Sequence, residues 1–314
     1  MFFFGLKFTE KLIASFNTAI NSIFAAKYKK SMLFLILSII CSVTVGILFK
    51  IARKYTINHI QIVAWNYVFA MLLCYFTFSP DISKVTVTAP WGLYGVLGFL
   101  LPLIFLFLAA SIKHMGIVKT DAAQRLSLFI PIIAAWLIFN EQFSVLKIVA
   151  FVVAVPALLL ILSKNTQSTA TKWIYPALVL MGFGVIDILF KQISSFTSLP
   201  YTTSLFIIFG ISLTIIIAVV AYEVILKKTV LKTSNIVFGA LVGIFNFGNI
   251  LFYLKAHQDF SESPSTVFAG MNLGVIVIGS LVGVLIFKEK LSKLNFLGLS
   301  LALVAIVLIM RSQF

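Results

Sequence analysis

Acidic side chains are scarce in this chain: nine Asp and Glu stand against 24 Lys and Arg, with three His and two Cys in 314 residues. Each shortage removes a class of activity. Enzymes need convergent acids, bases, nucleophiles or metal ligands, and here the few acids fall largely at the ends of apolar runs. His59, His114 and His257 are scattered without metal-ligand spacing, and no nucleophile–base constellation is visible. Neither a catalytic residue nor a metal or cofactor is expected. Cys41 and Cys74 lie inside apolar runs and form no disulfide framework. The G-x-x-x-x-G-K phosphate loop is missing. The glycine clusters Gly92/Gly95/Gly98 and Gly279/Gly283 sit within apolar runs, where they read as helix packing.

Apolar length is what the chain has in abundance. Hydrophobic residues make up 61% and charged residues 11%, against about 45–50% and about 25% in soluble domains. Ten runs, 31–50, 60–78, 91–112, 120–139, 146–163, 173–193, 202–224, 234–256, 264–287 and 294–311, are apolar enough to cross a membrane. At ~1.5 Å per residue, about 20 residues span a hydrocarbon core about 30 Å thick. The reading is an all-α, multi-pass integral membrane protein of ten transmembrane helices. A net charge of +15 would suggest nucleic acid in a soluble domain. Here Lys and Arg mostly flank the runs, so the bilayer, and not nucleic acid, is the expected partner.

The one long polar stretch between runs is "SKNTQSTATK" (163–172). It divides a first half, 31–163, from a second, 173–312, with 164–172 as linker. Ahead of them, in residues 1–30, Phe8, Leu12, Phe16, Ile20 and Phe24 recur every four residues. That tail is either an amphipathic helix lying in the interface or an extension ahead of a natural start at Met32.

The halves share a phrase. "LIFNEQFSVL" from Leu137 and "LIFKEKLSKL" from Leu285 have Leu, Ile, Phe, Glu, Ser and Leu in common, which pairs Glu141 with Glu289. A second echo, "ILFK", ends at Lys50 and again at Lys191. An odd number of runs separates the copies, so they end on opposite membrane faces. The halves are therefore read as inverted five-helix repeats, a design of many secondary transporters. For orientation, the total Lys and Arg count favours an outside N-terminus, whereas the basic flank Lys27, Lys29 and Lys30 favours an inside one.

At these motifs the chain resembles the drug/metabolite transporter superfamily, in particular proteins with two EamA-type halves. The resemblance rests on "LFIPIIAAWLIFNE" (128–141), "VIVIGSLVGVLIFKE" (275–289), "VGILFK" (45–50) and "VIDILFK" (185–191), and covers about 33–311. It implies transport of a small metabolite. Many members carry an Arg early in the second helix. Asn66 stands there in this chain, so no substrate contact of that Arg carries over.

Polar groups inside the runs are the informative ones, because a charge near the bilayer centre costs at least ~2.5 kcal/mol. Asp187, the deepest acid, shares a helical face with Gly184 and Lys191. It reads as a proton- or substrate-coupling carboxylate, or as half of an i,i+4 Asp–Lys pair. Lys50 and Lys191 either snorkel to the interface or face a cavity and favour a carboxylate-bearing substrate. Gly239, Gly243, Asn246, Asn249, Tyr253 and His257 lie near one stripe. That stripe is a cavity wall or a line of helix–helix hydrogen bonds. Asp121, Gln124 and Arg125 open the fourth run, with Asn272 matching Gln124 in the second half. Arg125 clamps a carboxylate or pairs with Asp121. Trp65, beside Asn66, is an interfacial anchor or a cavity wall. Glu141 and Glu289, in span-ending loops, read as capping and lid structure rather than substrate contacts.

These observations converge on a secondary transporter for a small polar metabolite such as an amino acid or other carboxylate-bearing compound. It would work by alternating access in the plasma or inner membrane, as monomer or homodimer, with proton coupling through Asp187 as one route. The alternatives are weaker. An integral-membrane enzyme lacks convergent groups, and a receptor or scaffold has no need of an inverted repeat with polar stripes in both halves.

Overall fold

Apolar runs become helices because lipid offers no partner to a backbone N–H or C=O, so each segment must close its own hydrogen bonds. The structure, a computed structural model, describes residues 29–52, 54–55, 57–115, 117–162, 174–196, 199–288 and 292–313. Among them, regular structure is entirely helical. The order is α1 (Lys29–Ala52), α2 (His59–Phe78), a 3₁₀ turn (Ile82–Lys84), α3 (Trp91–Met115), α4 (Ile117–Leu126), α5 (Phe129–Leu137) and α6 (Val145–Leu162). Then follow α7 (Ile174–Ser195), α8 (Tyr201–Leu226), α9 (Thr233–Asp259), α10 (Pro264–Leu285) and α11 (Lys293–Arg311). Eight of these helices are long and apolar enough to cross a membrane, and the segments Ala123–Leu137 and Val145–Ile161 are shorter apolar helices. The chain is an all-α integral membrane protein. The 1–28 part of the N-terminal tail, the 164–172 linker, Glu289 and the Asp121 side chain lie outside the described residues.

The fourth run, expected as one continuous span, is two helices. Pro131 has no N–H to give the carbonyl four residues back, and its ring crowds that carbonyl. The carbonyl belongs to Ser127, which instead accepts from Ile130 N at 3.0 Å, while Leu128 N reaches only Arg125 O at 3.3 Å. The Ser127 hydroxyl turns back onto Gln124 O at 2.6 Å. The break falls just after Gln124 and Arg125.

Helix ends carry local stops. Asn58 caps α2 by accepting from Ile60 N and Gln61 N, and Ser292 with Asn295 forms a capping box on α11. Ser79, Asn140, Lys228 and Lys288 take positive φ, 44°, 53°, 51° and 55°. Each follows the end of a helix, where a left-handed residue reverses the chain.

Helix α9 is the centre of the packing, touching α1, α2, α7 and α10. Around it α3 lies on α7 and α8, α2 on α8, α1 on α10, α7 on α4 and α5, and α6 on α11. Lipid tails are as apolar as leucine, so close backbone approach and not water exclusion holds such helices together. The α2–α9 contact needs glycine for this reason. A Cβ at Gly243 would lie 2.7 Å from the Asn66 carbonyl oxygen, and one at Gly239 would strike Trp65.

Candidate functional site

Between α1, α2, α3, α4, α9 and α10 lies a cavity of about 550 Å³. Its rim is built where α1 ends and α2 begins, where α3 gives way to α4, and where α10 ends. Lys50, His59, Thr120, Arg125 and Phe287 stand there. The Lys50 ammonium lies 3.7 Å from the centre of the Phe287 ring, a cation–π contact that holds it in the rim. Phe49 joins the wall between His59 and Phe105, 6.2 and 6.3 Å away between ring centres. Among the described residues lining the cavity there is no Asp or Glu.

The floor, halfway along α9, is amide. Asn246 and Asn249 line the cavity and are tied to neighbouring helices. Asn246 Nδ2 donates to Asn66 Oδ1 on α2 at 3.1 Å, and Ser38 Oγ on α1 donates to Asn249 Oδ1 at 2.8 Å. Those bonds leave the Asn246 carbonyl and the Asn249 amide nitrogen for a ligand. Gly46 and Gly279, also lining residues, have open space where a Cβ would stand.

At the opposite end of the bundle the helices close on each other. Glu141, 3% exposed in the loop after α5, receives Ser265 N at 2.8 Å and Ser265 Oγ at 2.6 Å. It thereby sits on the N-terminus of α10, where a carboxylate is favoured by the helix dipole. Lys147 of α6 pairs with it, also buried. Lys191 of α7, 3% exposed, donates to the Ser261 carbonyl in the α9–α10 turn at 3.1 Å. Glu141 is thus a cap, as its loop position suggested, but of a helix far along the chain.

The structure separates the residues singled out in the sequence. Lys50, Gln124, Arg125, Asn246 and Asn249 converge on the cavity. Asp187, Lys191, Tyr253, Asn272, Asn66 and Trp65 are outside its lining. The i,i+4 pairing of Asp187 with Lys191 does not occur. Tyr253 OH donates to Asp187 at 2.8 Å and Asn272 donates to the Phe268 carbonyl of its own helix at 3.0 Å, whereas Lys191 turns to Ser261. A phenol from α9 reaches the carboxylate across the helix interface, while the longer lysine arm reaches the α9–α10 turn. Tyr253 therefore leaves the amide stripe for a buried contact. Trp65 wedges the α2–α9 interface beside Gly239 and Phe69. Gly279 faces the cavity instead of packing against a helix, and of the first cluster only Gly98 meets a neighbour, Ile211 of α8. His59, Thr120 and Phe287 were missed, because a lone residue at a run end carries no periodic signal.

Comparison with known proteins adds three findings. The EamA-like transporter family matches residues 29–163. A Haemophilus influenzae protein named "Uncharacterized protein" is 42% identical over 284 residues, covering 87% of this chain and 95% of that one. A crystal structure of another protein superposes with a TM-score of 0.67 at 13% identity, over 89% of this chain and 96% of that chain, which shows a shared fold.

Proposed function

Because the chain belongs to the EamA-like transporter family, we propose that it moves a small carboxylate-bearing metabolite across the plasma or inner membrane by alternating access, without ATP. The observation that carries the substrate class is the cavity, whose rim brings Lys50, His59 and Arg125 together. Its size, about 550 Å³, is in the usual range of about 300–1,000 Å³ for small-molecule sites. A carboxylate entering the rim meets the planar guanidinium of Arg125, which can bind it with two parallel hydrogen bonds. The neutral part of the molecule reaches the amides of Asn246 and Asn249.

Alternating access requires two bodies that exchange roles, and we take these as 31–163 and 173–312. Two observations support the division. Exchanging the halves turns the α1–α9 contact into α7–α3, α2–α9 into α8–α3, and α1–α10 into α7 against α4 and α5, and all of these occur. The left-handed residues pair in the same way, Ser79 with Lys228 and Asn140 with Lys288. In this conformation the cavity lies at one end and the Glu141–Ser265 contact closes the other.

The test is counterflow in proteoliposomes loaded with a panel of mono- and dicarboxylates, amino acids and uncharged analogues. Exchange of labelled carboxylates, with a raised half-saturating concentration in Arg125→Gln, is the expected result. Exchange confined to uncharged or cationic compounds overturns the substrate class, and binding without exchange across the panel overturns transport.

A further inference from the structure

Among the described residues, His257 is the side chain with both of its polar atoms buried and unpartnered. It lies in the last turn of α9 and is fully buried, yet among the described residues neither ring nitrogen has a hydrogen-bond partner. Buried polar groups are nearly always satisfied, so an orphan of this kind calls for a reason. The ring is packed edge-on against Tyr253 and Phe268, 4.6 and 4.8 Å between ring centres. From α7 the Lys191 ammonium lies within electrostatic reach. In the first turn of α10, at the same end of the molecule, Thr266 has a buried hydroxyl that also has no partner among the described residues.

The surrounding charges are committed elsewhere. Lys191 holds the Ser261 carbonyl, faces the Phe139 ring and feels Glu141. Glu141 is occupied by Lys147 and Ser265. Asp187 accepts from Tyr253. A positive charge on the imidazole would therefore stand beside a second buried cation, with no uncommitted buried carboxylate among the described residues to receive either; Asp259, at the end of α9, and Glu262, in the turn after it, are exposed.

We propose that His257 is a proton-binding site and that its occupation opens the closed end of the molecule. One proton from water converts the imidazole to imidazolium, and no other bond changes. Repulsion then drives Lys191 off the Ser261 carbonyl, the contact that ties α7 to the α9–α10 turn. Water enters between them and solvates both charges. Loss of the proton reverses the sequence and reseals that end. Protonation of buried histidines is a recognised way to flip a packed interface. The proposal uses the transporter reading only for what the opening accomplishes, since the site needs no substrate.

The experiment is likewise substrate-free. Thr266→Cys, buried and with no hydrogen bond to lose, is introduced with Cys41→Ala and Cys74→Ala, and the protein is reconstituted in liposomes. Its maleimide labelling rate is divided by that of Val87→Cys, which is 93% exposed in the loop between α2 and α3 at the same end. The division removes the thiol's own pH dependence. From about pH 8 to about pH 5, the range histidine commands, the ratio should rise roughly tenfold. His257→Gln, which keeps size and hydrogen bonding without titrating, should hold it flat, and His257→Asn serves if that variant does not fold. Lys191→Met should shrink the rise by removing the repelling charge. A flat ratio with His257 present overturns the proposal, as does an undiminished rise in His257→Gln or in Lys191→Met. Failed counterflow would leave this labelling result standing, so the two readings fall separately.

Discussion

Arg125 and Lys50 occupy positions where a cation is costly unless it is partnered or wet, and the cavity rim answers that cost for both. A hydrogen bond to a charged group contributes about 1.5–3 kcal/mol, which is roughly a 10- to 100-fold change in apparent affinity. Arg125→Gln is therefore expected to raise the half-saturating concentration of carboxylate substrates by that factor in counterflow, while uncharged analogues change little. Lys50→Gln should act in the same direction but less, since an ammonium binds as a point charge without the guanidinium's paired geometry. Gly279 supplies a second residue-scale test. Open space lies where its Cβ would be, on the cavity wall. Gly279→Leu should thus block exchange while the thermal unfolding temperature in detergent stays near that of the parent; a large fall in that temperature would refute the cavity placement.

Helices impose the next set of constraints. The α4–α5 break follows from one missing N–H at Pro131 and positions the rim residues just before it. Pro131→Ala restores a donor to the Ser127 carbonyl and favours one straight helix, which would carry Gln124 and Arg125 away from the rim. Several-fold slower exchange, with helix content by circular dichroism equal to or above the parent's, is the expected outcome. The α2–α9 contact makes the opposite demand, since it tolerates no added atom. Gly243→Ala places a methyl group against backbone, the Asn66 carbonyl, which cannot rotate away. Overpacking of this kind costs about 1–3 kcal/mol, so detergent unfolding should fall clearly, and an unchanged unfolding temperature would contradict the packing described.

Across the whole molecule, the cavity lies at one end and the sealed contacts at the other, the arrangement that the proposed alternating access asks of one conformation. Glu141 contributes to that seal through Lys147 and Ser265. Removing one member of a buried ion pair leaves the other uncompensated, at about 3–5 kcal/mol. Glu141→Gln should accordingly be strongly destabilised in detergent unfolding, and Glu141→Gln with Lys147→Met should recover much of the loss; no recovery would mean the pair is not coupled. The inverted arrangement of halves is checked by exposed neighbours of the repeated motif. Gln142→Cys and Lys293→Cys should react with an impermeant thiol reagent from opposite faces of the membrane, and reaction from one face refutes the inversion.

The membrane class, the runs and the repeat of Glu141 at Glu289 were determined by the sequence alone. Hydropathy over about 20 residues is a local property, and lipid leaves a backbone little choice but helix. The Pro131 break was present in the same letters but was masked by an apolar run that continued on both sides of it. Helical spacing likewise put Asn246, Asn249 and Tyr253 on one stripe. Only the tertiary structure decided that the two amides line a cavity while the phenol serves Asp187. It also decided that Asp187 and Lys191, one turn apart, do not pair, and that Glu141 caps a helix far along the chain. The reason is physical: spacing along one helix says which side chains can be neighbours. Which partner wins depends on the donors that other helices bring to the same point, and that arrangement exists only once the helices have packed.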